Sequence, residues 1–281
     1  TTTSLILAAG FAHADVTFSG KGEVGVFQDA TPQSGGVTAA NMTVYSGYDL
    51  NVSLSGASDN GITYSMGLDM GAGSISDSGD MEMDAQGATI GTSALTIGYA
   101  GVTIVAGQDK NDDLYDDSQN GDVKISGAFG GLGFAAVLDT DSGATSNSFS
   151  LSGAAADMTW SLVSTDSNDS GDAAAKITVG YTVNDALSLS FKNDNKGSAA
   201  AVNTLGATYA MGSLTLGLSG ADDDTTDFSV GYATGPLSAA YSTDESDNWE
   251  FNTSYDLGGG ASAFATMDAS EYTALGMSFA F

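Results

Sequence analysis

Residues 44–70 read VYSGYDLNVSLSGASDNGITYSMGLDM. Val44, Tyr48, Leu50, Val52 and Leu54 share one parity; Gly47, Asp49, Asn51 and Ser53 share the other. After Ser58 to Gly61, Ile62, Tyr64, Met66, Leu68 and Met70 oppose Thr63, Ser65, Gly67 and Asp69. Successive side chains on a strand point to opposite faces, so this alternation predicts one apolar and one polar face. The intervening Ser-Asp-Asn-Gly has the composition of a tight turn. The stretch therefore predicts two antiparallel amphipathic strands.

The same period extends in both directions. Upstream, Val16, Phe18, Val24 and Val26 oppose Thr17, Ser19, Lys21 and Glu23. Downstream it recurs through Leu95/Ile97/Tyr99, Met158/Trp160/Leu162, Leu187/Leu189/Phe191 and Leu214/Leu216/Leu218. It ends with Leu275, Met277, Phe279 and Phe281 against Ala274, Gly276, Ser278 and Ala280. No segment after residue 14 carries a helical period. Short connections lie at Ser58–Gly61, Tyr99–Gly101, Phe129–Gly131, Ala155–Met158, Val183–Asp185, Ala210–Gly212, Thr234–Pro236 and Asp256–Gly260. Between them lie longer polar ones such as TPQSGG, SISDSGDMEMDAQ, NDDLYDDSQNGD and STDSNDSGD. No fixed repeat motif suggests a solenoid.

Composition excludes several functions. The chain has 281 residues with 35 acids, 6 basic residues and a formal net charge of -29; all six basic residues are lysine. Such a chain repels phosphate backbones, so nucleic acid is not an expected partner. With no cysteine, disulfides, thiol catalysis and Cys-type zinc sites are absent. His13 is the single histidine, and it lies near the start. Leu5 to Phe11 is a short apolar run followed by Ala12-His13-Ala14, which reads as the tail of a secretory signal peptide. Residues 1–14 are therefore expected to be a signal remnant and residues 15–281 the exported domain. Without histidine, a catalytic serine lacks an imidazole partner. No catalytic residue is assigned, and the expectation is a non-enzyme.

The apolar faces pack either on each other, as in a sandwich, or on lipid, as in a transmembrane barrel. Three features favour the barrel. Connections alternate short and long, Tyr and Trp recur near strand ends, and the chain stops on an apolar strand at Phe281. Closing that strand on the first one removes unprotected edges. The fold class expected is all-β: a transmembrane antiparallel β-barrel of 16 or 18 strands. Eight short connections, with a strand before the first and after the last, lead to the larger number.

The opening DVTFSGKGEVGV, the turn SYDLGGGAS at 254–262 and the terminal MSFAF resemble the general porins of Gram-negative outer membranes, alphaproteobacterial type. That resemblance implies a 16-stranded homotrimeric barrel in outer-membrane lipid, reached by export through the periplasm. It also implies a water-filled channel for passive diffusion of small hydrophilic solutes and ions. One external loop should fold inward as a constriction, acids facing a basic cluster. The matching position here is 109–122, with Lys110, Asp112, Asp113, Tyr115, Asp116, Asp117 and Asp122. The arginine-rich wall is absent. Its place falls to lysines of lumen parity: Lys21, Lys124, Lys176 or Lys192.

The residues assigned to constriction and selectivity are Lys21, Glu23, Lys110, Asp112, Asp113, Asp116, Asp117 and Lys124, and the excess of acid predicts cation selectivity. No cofactor is required. Asp166, Asn168, Asp169 and Asp172, and the Asp139-x-Asp141-x-Gly143 run, faintly resemble calcium loops but lack EF-hand spacing. The alternative reading is a secreted, acidic, calcium-stabilised β-rich adhesin or surface-layer protein.

Overall fold

The computed structural model describes residues 3–7, 13–32, 36–87, 93–140 and 146–281, with side chains from Asp15 onward. It contains twenty strands: β1 (Thr3–Leu7), β2 (His13–Asp29), β3 (Ala39–Ala57), β4 (Thr63–Asp77), β5 (Glu82–Ala85), β6 (Leu95–Tyr99) and β7 (Val102–Asp112). There follow β8 (Asn120–Phe129), β9 (Leu132–Leu138), β10 (Ser148–Ala155), β11 (Met158–Thr165), β12 (Ala174–Thr182), β13 (Leu187–Asn195) and β14 (Val202–Met211). The last six are β15 (Leu214–Ala221), β16 (Thr226–Thr234), β17 (Leu237–Asp244), β18 (Trp249–Gly258), β19 (Ala261–Asp268) and β20 (Thr273–Ala280).

Eighteen of them, all but β1 and β5, form one closed antiparallel barrel. Closure runs between β2 and β20, from Lys21↔Ala280 to Gln28↔Thr273. Gly20 and Phe281 extend it with reciprocal main-chain bonds of 3.1 and 3.0 Å. All eight short connections occur where the alternation places them, which yields eighteen strands rather than the sixteen of the resemblance. Gly130 and Gly131 show why the turns need their composition. Both have positive φ, 59° and 85°, between the paired Phe129 and Leu132. A two-residue turn with two positive φ angles matches the right-handed twist of the strands it joins.

The register carries one parity around the whole ring. Lys21 faces Asp49, Asp49 faces Gly71, Ser65 faces Thr96 and Thr103 faces Ser126. Ser150 faces Val163, Lys176 faces Asp194 and Thr215 faces Gly231. On the opposite parity, Val24, Val44, Leu54, Ile104, Leu189, Leu218, Phe228 and Phe279 are exposed outward.

The interior face is identified by what packs against it. Ser74–Asp77 of β4 pairs with β5 instead of the barrel wall. The departure occurs at Gly73, where φ is 77° and an added Cβ would lie 2.1 Å from Ser46 O. Only glycine fits that approach. The resulting hairpin buries Met81 and Met83 against Phe27, Ala39, Tyr45, Tyr272 and Ala274. Phe27 and Tyr45 meet edge to face, 5.8 Å apart at 87°. The hydrophobic cluster of this barrel thus lies inside the ring. Among the described residues no helix is long and apolar enough to cross a membrane, which says nothing about strands. Thr3–Leu7 pairs with Ala14–Phe18 of β2, beyond the end of β20.

Candidate functional site: the barrel interior

Two elements lean on the interior wall from opposite sides. The first is the hairpin of β4 and β5. Ser76 N donates to Glu23 Oε2 at 2.9 Å, and the Ser76 and Tyr272 hydroxyls lie 2.8 Å apart. Asn252 Nδ2 donates to Ser78 O at 3.4 Å, and Thr266 Oγ1 sits 3.1 Å from Met81 Sδ. These partners lie on β2, β18, β19 and near the start of β20. Glu23 also pairs with Lys21 at 3.2 Å, with Glu23 buried and the Lys21 ammonium stem half-exposed. A cavity of about 280 Å³ remains beside this contact, lined by Lys21, Glu23, Ser76, Asn252 and Thr266 among others.

The hairpin brings acids with it. Glu82 is buried, and both Glu82 and Asp84 are held above the usual carboxylate range. Burial is the first cause for each; nearby acids, including Asp80, Asp77 and Asp29, add to it, while Lys21 opposes the effect at Asp84. Glu82 Oε2 and Asp29 Oδ2 are buried without a hydrogen-bond partner.

The second element is the Asp113–Gln119 loop between β7 and β8. Asp113 is buried and folds the loop. Its Oδ1 accepts the Tyr115 and Asp116 amides at 2.7 and 3.1 Å, and its Oδ2 accepts the Ser146 and Thr165 hydroxyls at 2.8 and 3.2 Å. Leu114 N donates to Ser148 Oγ at 2.9 Å, and the Tyr115 hydroxyl donates to Asp194 Oδ1 at 2.7 Å. Burial and Asp194 push the Tyr115 phenol upward. Ser148, Thr165 and Asp194 all have interior parity, so the loop lies over the inner wall of β10 to β13. That wall is half-way round the ring from β2 and β20, where the hairpin docks.

The residues singled out from sequence therefore fall into two groups. Lys21 and Glu23 sit under the hairpin. Asp112, Asp113, Asp116 and Asp117 sit at the loop, with Lys110 exposed at the end of β7 and Lys124 on the inner face of β8 opposite Val137. Asp112 and Asp117 are exposed, whereas Asp113 is buried and Asp116 half-buried, both accepting bonds within the loop. Asp116 is held below its ordinary range, first by the Ser118 hydroxyl. The sequence reading missed the hairpin, which it counted as an ordinary external connection. The available signals were the alternation of Met81 and Met83 and the out-of-phase aromatics Phe27 and Tyr45.

The residues with calcium-loop character are tied to their neighbours. Asp166 accepts the main chain and side chain of Asn147, Asn168 Oδ1 caps Ser170 and Asp172, Asp169 accepts Ser118 Oγ, and Asp172 accepts Ser198. Among the described residues, no group of three or more acids or histidines is placed to hold a metal ion. Asp141 and Gly143 lie outside the described residues.

The chain matches the Gram-negative porin family over residues 1–275. Among solved structures it is similar to two mutants of Rhodopseudomonas blastica porin. One matches at 14% identity with a TM-score of 0.57. The other matches at 16% identity with a TM-score of 0.54. A structure described only as porin refined at 1.8 Å matches at 15% identity with a TM-score of 0.50. Each alignment covers 95% of this chain and 100% of the other. No curated protein matches the chain.

Proposed function

We propose, from the premise that this chain belongs to the Gram-negative porin family, that its barrel is a cation-selective, water-filled channel for passive diffusion of small hydrophilic solutes and ions. The chain is an outer-membrane porin channel; its selectivity and solute range are the proposal. The observation that carries it is the parity that runs round the ring, mainly polar inward apart from the cluster under the hairpin, and mainly apolar outward. Such a wall dissolves in lipid while enclosing water. An eighteen-strand ring is wide enough to leave an aqueous passage.

Selectivity follows from charge. Glu23, Asp49, Asp69, Asp194, Glu250 and Asp268 carry interior parity, against Lys21, Lys124, Lys176 and Lys192. Fixed acids in a passage walled by low-dielectric protein and lipid concentrate cations and repel anions. The hairpin and the loop narrow the passage from opposite walls, so size exclusion acts at the level where the charges gather. Liposome swelling tests the diffusion reading. Swelling that slows as the uncharged solute grows supports it, and rates equal to protein-free liposomes contradict it. Assembly as a homotrimer in outer-membrane lipid rests on the family resemblance. Crosslinking in mild detergent should stop at three copies; a monomer under every condition opposes it.

A further inference from the structure

Where the Asp113–Gln119 loop meets the β10–β13 wall, it leaves a pocket of about 350 Å³ at the loop end of the channel. Tyr115, Asp116, Asp169, Lys176, Asp194 and Lys196 line it. Its acids and its lysines do different things. Asp194 is buried and accepts the Tyr115 hydroxyl. Asp116 Oδ2 accepts the Asp169 amide at 3.0 Å, and Ser118 Oγ lies 2.7 Å from Asp116 Oδ1 and 2.5 Å from Asp169 Oδ1, with one hydroxyl proton between them. These bonds hold three chain segments in one rim.

The lysines are not used this way. Lys176 is the register partner of Asp194, yet its ammonium stands 4.8 Å above the Tyr115 ring. Lys196 is anchored through its main-chain oxygen, which accepts Asn168 Nδ2 at 3.1 Å, and it lies in the field of Asp223. Among the described residues the ion pair within 4 Å is Lys21–Glu23, so neither pocket lysine has a carboxylate that close. In a chain of 35 acids and 6 lysines, two lysines lining one pocket, neither in an ion pair within 4 Å, set this place apart.

We propose that this pocket is a docking subsite for small zwitterionic solutes of amino-acid type. The solute carboxylate meets Lys176 and Lys196, and its ammonium meets Asp116 and Asp169. The proposal rests on the channel reading and deepens it. Complementarity selects the class: a simple anion is opposed by Asp116, Asp169 and Asp194, a simple cation by the two lysines, and a neutral polyol gains no charged contact. Only opposite charges on one small molecule satisfy both sides. The volume lies at the lower end of the ~300–1,000 Å³ typical of ligand pockets, which suits a single small solute. A weak site at the mouth raises local occupancy, provided that binding is loose enough to release forward.

The test is single-channel recording in ~0.1 M KCl, where the Debye length is ~10 Å, with glutamine added on the loop side. Glutamine should reduce the current along a saturable curve. The double variant Lys176→Gln/Lys196→Gln should raise the half-saturating concentration about tenfold, because two charge-assisted contacts are lost. Asp59→Asn, in the exposed turn between β3 and β4 and outside the pocket, should keep the original curve. Xylitol, a neutral polyol, should reduce the current without saturation and equally in all proteins. If the double variant fails to insert, Lys196→Gln alone decides by the same shift, reduced to about threefold. Absence of saturation in the unaltered protein, at normal open-channel current, overturns the subsite. So does an unchanged curve in the variant, or an equal shift in Asp59→Asn. Absence of any channel current in the unaltered protein overturns the channel reading instead.

Discussion

Glu23 shows how a single charge in the wall does two jobs. One carboxylate oxygen pairs with Lys21 at 3.2 Å and the other accepts the Ser76 amide at 2.9 Å, from a side chain only 5% exposed. Glu23→Ala leaves that amide without an acceptor inside the contact, a loss of roughly 1–3 kcal/mol. Glu23→Gln keeps an acceptor and removes only the charge. Hydrogen exchange at Ser76 should be fastest in the alanine variant and intermediate in the glutamine variant. Equal protection in all three proteins would detach Glu23 from the hairpin. Asp113 and Asp112 show the opposite lesson, since adjacent identical residues have different roles. Asp113 spends both oxygens on four donors, while Asp112 is exposed. Residue type and spacing are the same for a carboxylate that folds its own loop and one that stays exposed, so the sequence reading grouped them together.

At the scale of elements, the strands were legible because period two reports burial directly. A one-residue slip would exchange the two faces. The facing of β13 is tested by charge. Phe191→Arg, on the outward face near the middle of the strand, should destabilise the barrel in bilayers by about 2–4 kcal/mol, while Ser190→Arg on the inner face should cost far less. Equal costs in liposome unfolding would contradict the register. The β4–β5 hairpin was not legible, for a physical reason. Phe27, Tyr45 and Tyr272 each look like a single lapse in an otherwise polar face. Only the register gathers them from β2, β3 and the approach to β20 into one cluster for Met81 and Met83. The hairpin carries its own pH dependence. Docking raises Glu82 and Asp84 above their ordinary values of 4.5 and 3.8. A group with a raised docked value binds more protons when docked. Its contribution is therefore full below the ordinary value and lost as pH rises through the raised one. Protection of residues 81–85 in hydrogen exchange, corrected for intrinsic rates, should be greater near about pH 4 than near about pH 7. Protection that increases with pH would reverse the sign and refute the argument.

At the scale of the whole molecule, the barrel meets two demands with one alternation. Outward side chains satisfy lipid, and inward side chains surround water with an excess of acid. Closure between β2 and β20 removes the edges, and two inward elements lie on opposing walls. Architecture and closing pair could be read from the chain, because both depend on patterns that every strand repeats. The position of the narrowing could be read only in part, because contacts between distant interior residues create it. Its charge is what the functional account depends on most, and the direct measurement is the reversal potential of single channels in a KCl gradient. At ~0.1 M salt the potential should lie towards that of potassium and should move towards zero near ~1 M, as the Debye length falls from ~10 to ~3 Å. Asp112→Asn/Asp117→Asn should reduce it while leaving the channel open. A potential on the chloride side at low salt would contradict the account.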